Sequence, residues 1–236
     1  MKISHISKLN KKQIESEIDK IIEESAQDDV HIQTIINQAL IAITSYDLAL
    51  FEQLFSGSVN SLGLKKTYVM VIYPLLVRTG LMWAKDDLLP SQEHFLSNLI
   101  RQKLFSAINA LPLPENHDQT WILFLNEEED HEIGLLFAHY VLRQFGKHVI
   151  YLGARVPFSN LISVIKQCNP THVYSFFVRN HFQEELEELL SKLTTDFKDC
   201  KICISGADET VQKVATGKNV HRIGTIDSLI EIINTP

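Results

Sequence analysis

From Trp121 onward, short continuous apolar runs alternate with stretches of helical periodicity, and this alternation restricts the fold more than any other feature of the chain. The runs are WILFL at 121–125, HVIYLG at 148–153, HVYSFFV at 172–178, KICISG at 201–206 and VHRIG at 220–224. Between the first two lies the helical GLLFAHYVLRQF, with Gly146 placed to cap its end, so that these pieces form one βαβ unit. Further helical patterns cover 158–168, 182–193, 226–234 and, more weakly, 208–216. Such alternation predicts a parallel sheet wrapped by helices on both faces, with its ligand crevice beyond the carboxyl ends of the strands.

The preceding half reads differently. Helical patterns at about 29–44, 47–56, 62–84 and 90–110, joined by short connections, suggest a four-helix bundle. Asp47 and the Pro90-Ser91 pair look like helix starts. The segment LPLPENHDQ at 111–119 has two prolines and a polar run, the composition of a domain boundary. Earlier still, Ile14, Ile18, Ile21 and Ile22 mark an amphipathic helix over 11–25. The expected organisation is therefore a lead-in over 1–28, a bundle over 29–112 and an α/β domain over 113–236.

A net charge of −7 and a pI near 5.8 argue against a broad grip on a nucleic-acid backbone by the chain as it stands. Three cysteines are too few for a disulfide framework, which fits a reducing, cytoplasmic compartment. Cys200 and Cys203 form a C-x-x-C within an apparent strand, where residues three apart point to opposite faces. The longest apolar stretch, 68–77, is broken by Pro74 and is too short for a membrane span.

The usual catalytic and phosphate motifs are missing. No G-x-G-x-x-G follows the first strand, and neither a G-x-x-x-x-G-K-[ST] nor a G-x-S-x-G occurs. His131-Glu132 would open a zinc-protease motif, but position 135 is Leu rather than the second His. His131 instead stands behind four consecutive acids, 127–130, where the first strand turns into its helix. Glu129 lies two residues before it and Gly134 three after, giving E-x-H-x-x-G. A carboxylate that accepts one ring N–H fixes the tautomer and strengthens the imidazole as a metal donor. Gly134 would let a bulky flat ligand come close to the backbone.

At these residues the sequence resembles the cobalamin-binding fold, whose signature is D-x-H-x-x-G, then a serine on a later strand, then Gly-Gly. Ser175 falls about forty residues past Gly134, and Gly206-Ala207 about thirty beyond that. Two positions depart from the pattern: Glu129 replaces the Asp, and Ala207 replaces the second Gly. In the bundle, Trp83 followed after nine residues by Glu93-His94 resembles the signature of light-responsive, adenosylcobalamin-dependent regulators of the MerR family (CarH and LitR type). Pro74-Leu75-Leu76 and the Gly80-x-x-Trp83 spacing match the same pattern. The start of the chain, with lysines 2, 8, 11 and 12 and no acid before Glu15, resembles the stretch leaving a MerR winged helix, whose DNA-reading part would then lie outside this chain.

The resemblance implies a four-helix bundle capping a Rossmann-like (flavodoxin-like) domain, with adenosylcobalamin between them. It makes His131 the lower cobalt ligand, Glu129 its orienting carboxylate, and Ser175, Gly206 and Ala207 the lining of the channel for the nucleotide tail. It places Trp83 against the adenosyl group and Glu93 on that group's hydroxyls, and it makes His94 the upper ligand after photolysis. It further implies a non-enzymatic, DNA-binding regulator that assembles as a dimer or tetramer in the dark. Two alternatives share the architecture: a corrinoid methyl carrier of a methyltransferase system, and an assembly domain that binds no cofactor.

Overall fold

A computed structural model of the chain describes residues 29–114, 118–178, 183–206, 211 and 219–235. It falls into two compact units, one ending at Ser97 and the other beginning at Asn98. The lead-in over 1–28, with its expected amphipathic helix, lies outside the described residues, as do Ala207 and most of the weak helix at 208–216, of which Val211 is helical and buried.

The first unit is helical. Residues 29–44 form α1, which buries Ile32, Ile36, Ala39, Leu40 and Ile43, the spacing of a single apolar face. After a turn at Tyr46, α2 runs over Leu48–Thr67, and the Asp47 carboxylate caps it by accepting the Leu50 N–H at 3.0 Å. Sequence periodicity fades after residue 56, yet the helix continues. Ser58 and Ser61 donate their hydroxyls to the carbonyls of Leu54 and Gly57, four residues back, so these polar side chains find partners inside the helix. The break falls at Gly63, whose φ of 76° and ψ of 157° only glycine adopts readily.

A wide π-helical turn, Tyr68–Ile72, then leads into α3, Tyr73–Trp83. Pro74 has no N–H to donate and its ring crowds the preceding turn, so a locally expanded turn before it relieves the conflict. Helix α4 spans Pro90–Asn109, with proline in the first turn as its spacing predicts. The division between the two units falls within this helix.

The second unit carries five parallel strands: β1 Thr120–Phe124, β2 His148–Gly153, β3 His172–Phe177, β4 Lys201–Gly206 and β5 Val220–Arg222, in the order β2-β1-β3-β4-β5. The intervening helices are α5 Ile133–Gln144, α6 Phe158–Cys168, α7 Gln183–Asp196 and α8 Ile226–Asn234. Ile122, Phe124, Val173, Phe177, Ile202 and Ile204, every second strand position, form one core with Leu161 and Ile165 of α6 and Leu189 and Leu193 of α7. Helix α5 is buried at every position from Leu135 to Leu142, which is why its sequence is apolar nearly all round. Among the described residues no helix is long and apolar enough to cross a membrane.

In this strand order the connections leave in opposite directions from β1 and β3, which are neighbours. The crevice outside their carboxyl ends is the topological switch point, where ligands of doubly wound sheets bind.

Candidate functional site at the carboxyl end of the parallel sheet

The loop that leaves β1 at this switch point is the acidic stretch 125–132. Read as sequence it is a charge run; in the fold its acids have separate tasks. Glu127 Oε1 accepts the Phe158 N–H at 2.9 Å, placing a carboxylate at the N-terminus of α6, where the helix dipole favours it. Asp130 takes both Nε and Nη2 of Arg155, at 2.5 and 2.7 Å. Glu132 takes the Tyr151 hydroxyl at 3.0 Å and Arg101 Nη2 at 2.8 Å.

Glu129 is the acid that turns inward, and it has 0% exposure. A bare carboxylate there would be strongly disfavoured, but four donors converge on it. Oε1 accepts the backbone N–H of Asp130 and of His131, each at 3.0 Å, and the ring Nδ1–H of His131 at 2.5 Å. Oε2 accepts the Val178 N–H at 2.9 Å, just past the end of β3. Burial opposes ionisation, yet the hydrogen bonds from the His131 ring, from Val178 and from the His131 backbone outweigh it and bring the pKa down to about 2. Glu129 thus ties the loop to the neighbouring strand and holds the imidazole at once.

Because an ionised carboxylate only accepts, the proton of His131 sits on Nδ1 and the lone pair on Nε2. The His131 side chain keeps 53% of its surface exposed. One ring nitrogen is held by a buried carboxylate and the other carries the lone pair, a donor arrangement that could hold a metal.

Other expected site residues surround the same strand ends. Ser175, on β3, is 3% exposed, and its hydroxyl has no hydrogen-bond partner among the described residues. Such an orphan costs about 1–3 kcal/mol, so the group is suited to a bond that the protein itself does not supply. Gly206 pairs with Phe177 across β3 and β4, and a Cβ on it would stand 1.8 Å from the Phe177 carbonyl oxygen. Here glycine is required by backbone proximity. Gly134 accommodates a side chain of the protein itself: a Cβ there would lie 2.7 Å from the half-buried Phe176 ring. Ala207 lies outside the described residues.

The remaining expected residues belong to the first unit. Trp83 ends α3 and is 55% exposed, so it is not part of the bundle core. Glu93 and His94 sit in the first turn of α4 and pair with each other, Nδ1 to Oε2 at 2.8 Å, with the His94 side chain 72% exposed. Cys200 and Cys203 are buried, and burial pushes the Cys200 thiol up to about 12 and that of Cys203 higher still.

Sequence reading missed Asp130, Glu132, Arg155, Tyr151 and Arg101 as parts of this site. The signal for the acids was their run before His131; nothing local marked their partners.

No protein-family model matches the chain. Over 163 residues, 69% of its length, it is 31% identical to the HTH-type transcriptional repressor CarH of Myxococcus xanthus, and the match spans 54% of that protein. The monomethylamine corrinoid protein of Methanosarcina barkeri has the same fold: TM-score 0.66 and 14% identity, covering 85% of this chain and 97% of that one. The chain is therefore a CarH-like region built on the fold of a corrinoid protein.

Proposed function

We propose that this chain is the cobalamin-binding sensor and assembly region of a transcriptional regulator, taking adenosylcobalamin and responding to light. One observation carries the proposal: His131, at the switch point of the sheet, donates its Nδ1–H to the buried Glu129 carboxylate and keeps its lone pair on Nε2. The donor set suits the group, since imidazole is a good ligand for borderline metals such as cobalt, and the orphaned Ser175 hydroxyl at the same strand ends supports a polar tail beside it. When bound, adenosylcobalamin supplies a photolabile cobalt–carbon bond.

The chain's own residues divide the remaining work. Glu129 fixes the tautomer and ring orientation of His131. Ser175 would donate or accept one hydrogen bond, and Gly206 keeps β3 and β4 close at that point. In the first unit Trp83 offers an exposed apolar face for a flat group, Glu93 an acceptor for hydroxyls, and His94 a second imidazole. A ligand shifts assembly only through different contacts with the two states, and the adenosyl group provides that difference. Transcriptional repression follows the likeness to CarH, a repressor, and self-association belongs to the proposal.

The test mixes the purified chain with adenosylcobalamin in the dark, records its visible spectrum and elution volume, and repeats both after illumination. The expected result is retained cofactor and a light-dependent change in size. His131→Ala should remove protein ligation from the dark spectrum, and His94→Ala should alter only the illuminated one. Tight binding of methylcobalamin with no change in size would instead assign the chain to methyl transfer, and a colourless protein after desalting would leave a cofactor-free assembly role.

A further inference from the structure

The acid following the histidine is the part of the loop whose contacts reach furthest into the fold. Glu132 is nearly buried and bridges two elements: Oε2 accepts the Tyr151 hydroxyl of β2, and Oε1 takes the Arg101 guanidinium of α4 at 2.8 Å. Tyr151 is itself clamped, with its ring stacked on His139 of α5 at 5.2 Å between centroids and met edge-on by Phe105 of α4 at 6.4 Å. Two residues of α4, one turn apart, therefore hold this linked pair, Arg101 the loop acid and Phe105 the strand tyrosine. Glu132 is also the residue immediately before α5, where its backbone accepts the Leu136 N–H at 2.8 Å. Its position fixes where the His131 turn ends and the helix begins.

From this geometry we infer that Glu132 is a positioning residue: together with Arg101 and Tyr151 it braces the turn presenting His131 against α4, the helix whose first turn carries Glu93 and His94. The inference rests on the cobalamin reading for its purpose, though not for its existence. Arg101 and Phe105 both lie on the part of α4 that belongs to the second unit, so a shift of that segment moves Glu132 and, with it, the turn beside His131. Rigid helices and discrete ion pairs are the elements through which such coupling travels. The brace thus links the geometry of the lower-ligand turn to the position of α4.

The experiment has two arms on the full chain. In the cofactor-free protein, hydrogen exchange is followed peptide by peptide in the wild type, Glu132→Gln, Arg101→Met and the double variant, with Arg101→Lys as the charge-conserving control. Loss of a partly buried ion pair predicts roughly five-fold faster exchange over 126–134 in either single variant. The double variant should be no faster than the singles, since both remove one interaction, and β3 and β4 should keep their protection. Arg101→Lys should recover part of the protection. Unchanged exchange over 126–134, additive effects, or a loss of protection spread over the whole sheet would each overturn the brace.

In the second arm the chain is labelled with 15N-histidine, loaded with hydroxocobalamin and reduced by one electron with dithionite to cob(II)alamin, whose electron paramagnetic resonance spectrum reports the axial nitrogen. The wild type should show the labelled-histidine splitting, and Glu132→Gln and Arg101→Met should show it in only a fraction of molecules. Full histidine ligation in both variants would overturn the link to the ligand. A wild type that takes up no corrinoid would instead sink the proposed function, while the exchange arm would still judge the brace.

Discussion

Glu129 and His131 stand two residues apart in sequence and share a 2.5 Å hydrogen bond in which the buried carboxylate accepts the ring Nδ1 proton. The same carboxylate accepts the Val178 N–H from the end of β3, so the orientation of the imidazole is locked to the sheet and not left to the loop.

Glu129→Gln tests whether that charge is needed. The amide retains one acceptor but turns an NH2 group toward donors, either the Val178 N–H or those around Oε1. Equilibrium urea unfolding should show a loss of about 2–4 kcal/mol, as expected when a buried charged hydrogen-bond centre is broken. Corrinoid titration should show about 10–100-fold weaker binding, the usual cost of removing the partner of a metal-ligating histidine. Wild-type behaviour in both measurements would mean the carboxylate charge does not organise the turn.

Ser175→Ala should act with opposite signs in the two states of the protein. Without cofactor, removing an orphaned buried hydroxyl relieves an unmet hydrogen-bonding demand, so stability stays level or rises by about 1 kcal/mol. With cofactor, the lost partner should weaken binding of a complete cobalamin, and leave binding of a corrinoid lacking the nucleotide tail unchanged. Equal weakening toward both ligands would remove Ser175 from the tail channel.

Acid should destabilise the fold in two steps. His139, stacked on Tyr151, and His172, stacked on Trp121 at 4.0 Å, are buried neutral; desolvation, aided by Arg143 in the first case and Lys201 in the second, lowers their pKa values to about 4 and about 3. Unfolded, each would protonate near pH 6.5, so the unfolded chain binds more protons below that pH. Stability is therefore full above pH 6.5 and falls as pH drops toward 4 and then 3. The ionised Glu129, with its pKa near 2 in the fold, adds a second loss from about pH 4.5 downward. Unfolding free energy measured from pH 7.5 to 3 should decline from 6.5 on, and His139→Phe, which keeps an aromatic ring there, should flatten the slope between 6.5 and 4. A slope unchanged by that substitution would clear His139 of the effect.

Gly206→Ala places a methyl where the Phe177 carbonyl already stands and should cost about 1–3 kcal/mol or more by forcing β3 and β4 apart. Gly57→Ala is the matched control: the residue is exposed within α2 with open space around it, so alanine should stabilise by about 0.5–1 kcal/mol. Thermal unfolding of the two variants should move in opposite directions. A loss at Gly57 as large as that at Gly206 would show that the steric clash is not the cause.

Much of the architecture was legible in the sequence because it depends on local period. The runs at 148–153 and 201–206 and the helices at 158–168 and 226–234 lie in the fold at those same residues, since buried parallel strands and amphipathic helices write their burial into consecutive positions. The helix continues through the interval after residue 56, which the period did not show, because that stretch is polar and serine-rich and lacks the apolar stripe that marks a helix in sequence. Gly63, an unremarkable letter in the sequence, is where that helix turns.

The candidate site divides in the same way. By itself the sequence determined that a histidine with a carboxylate two residues before it stands in the turn between the first strand of a parallel sheet and its helix, followed by a glycine, a later strand serine and a later glycine. Only the tertiary structure decided what the acids do: Glu127 caps α6, Glu129 holds His131 and Val178, Asp130 pairs with Arg155, and Glu132 joins Tyr151 to Arg101. Apart from His131, two residues from Glu129, the partners that carry these roles lie between 19 and 49 residues away along the chain, from Tyr151 to Val178. Local pattern records which face of an element is buried, but a hydrogen bond across the end of a sheet exists only once strand order brings distant loops together.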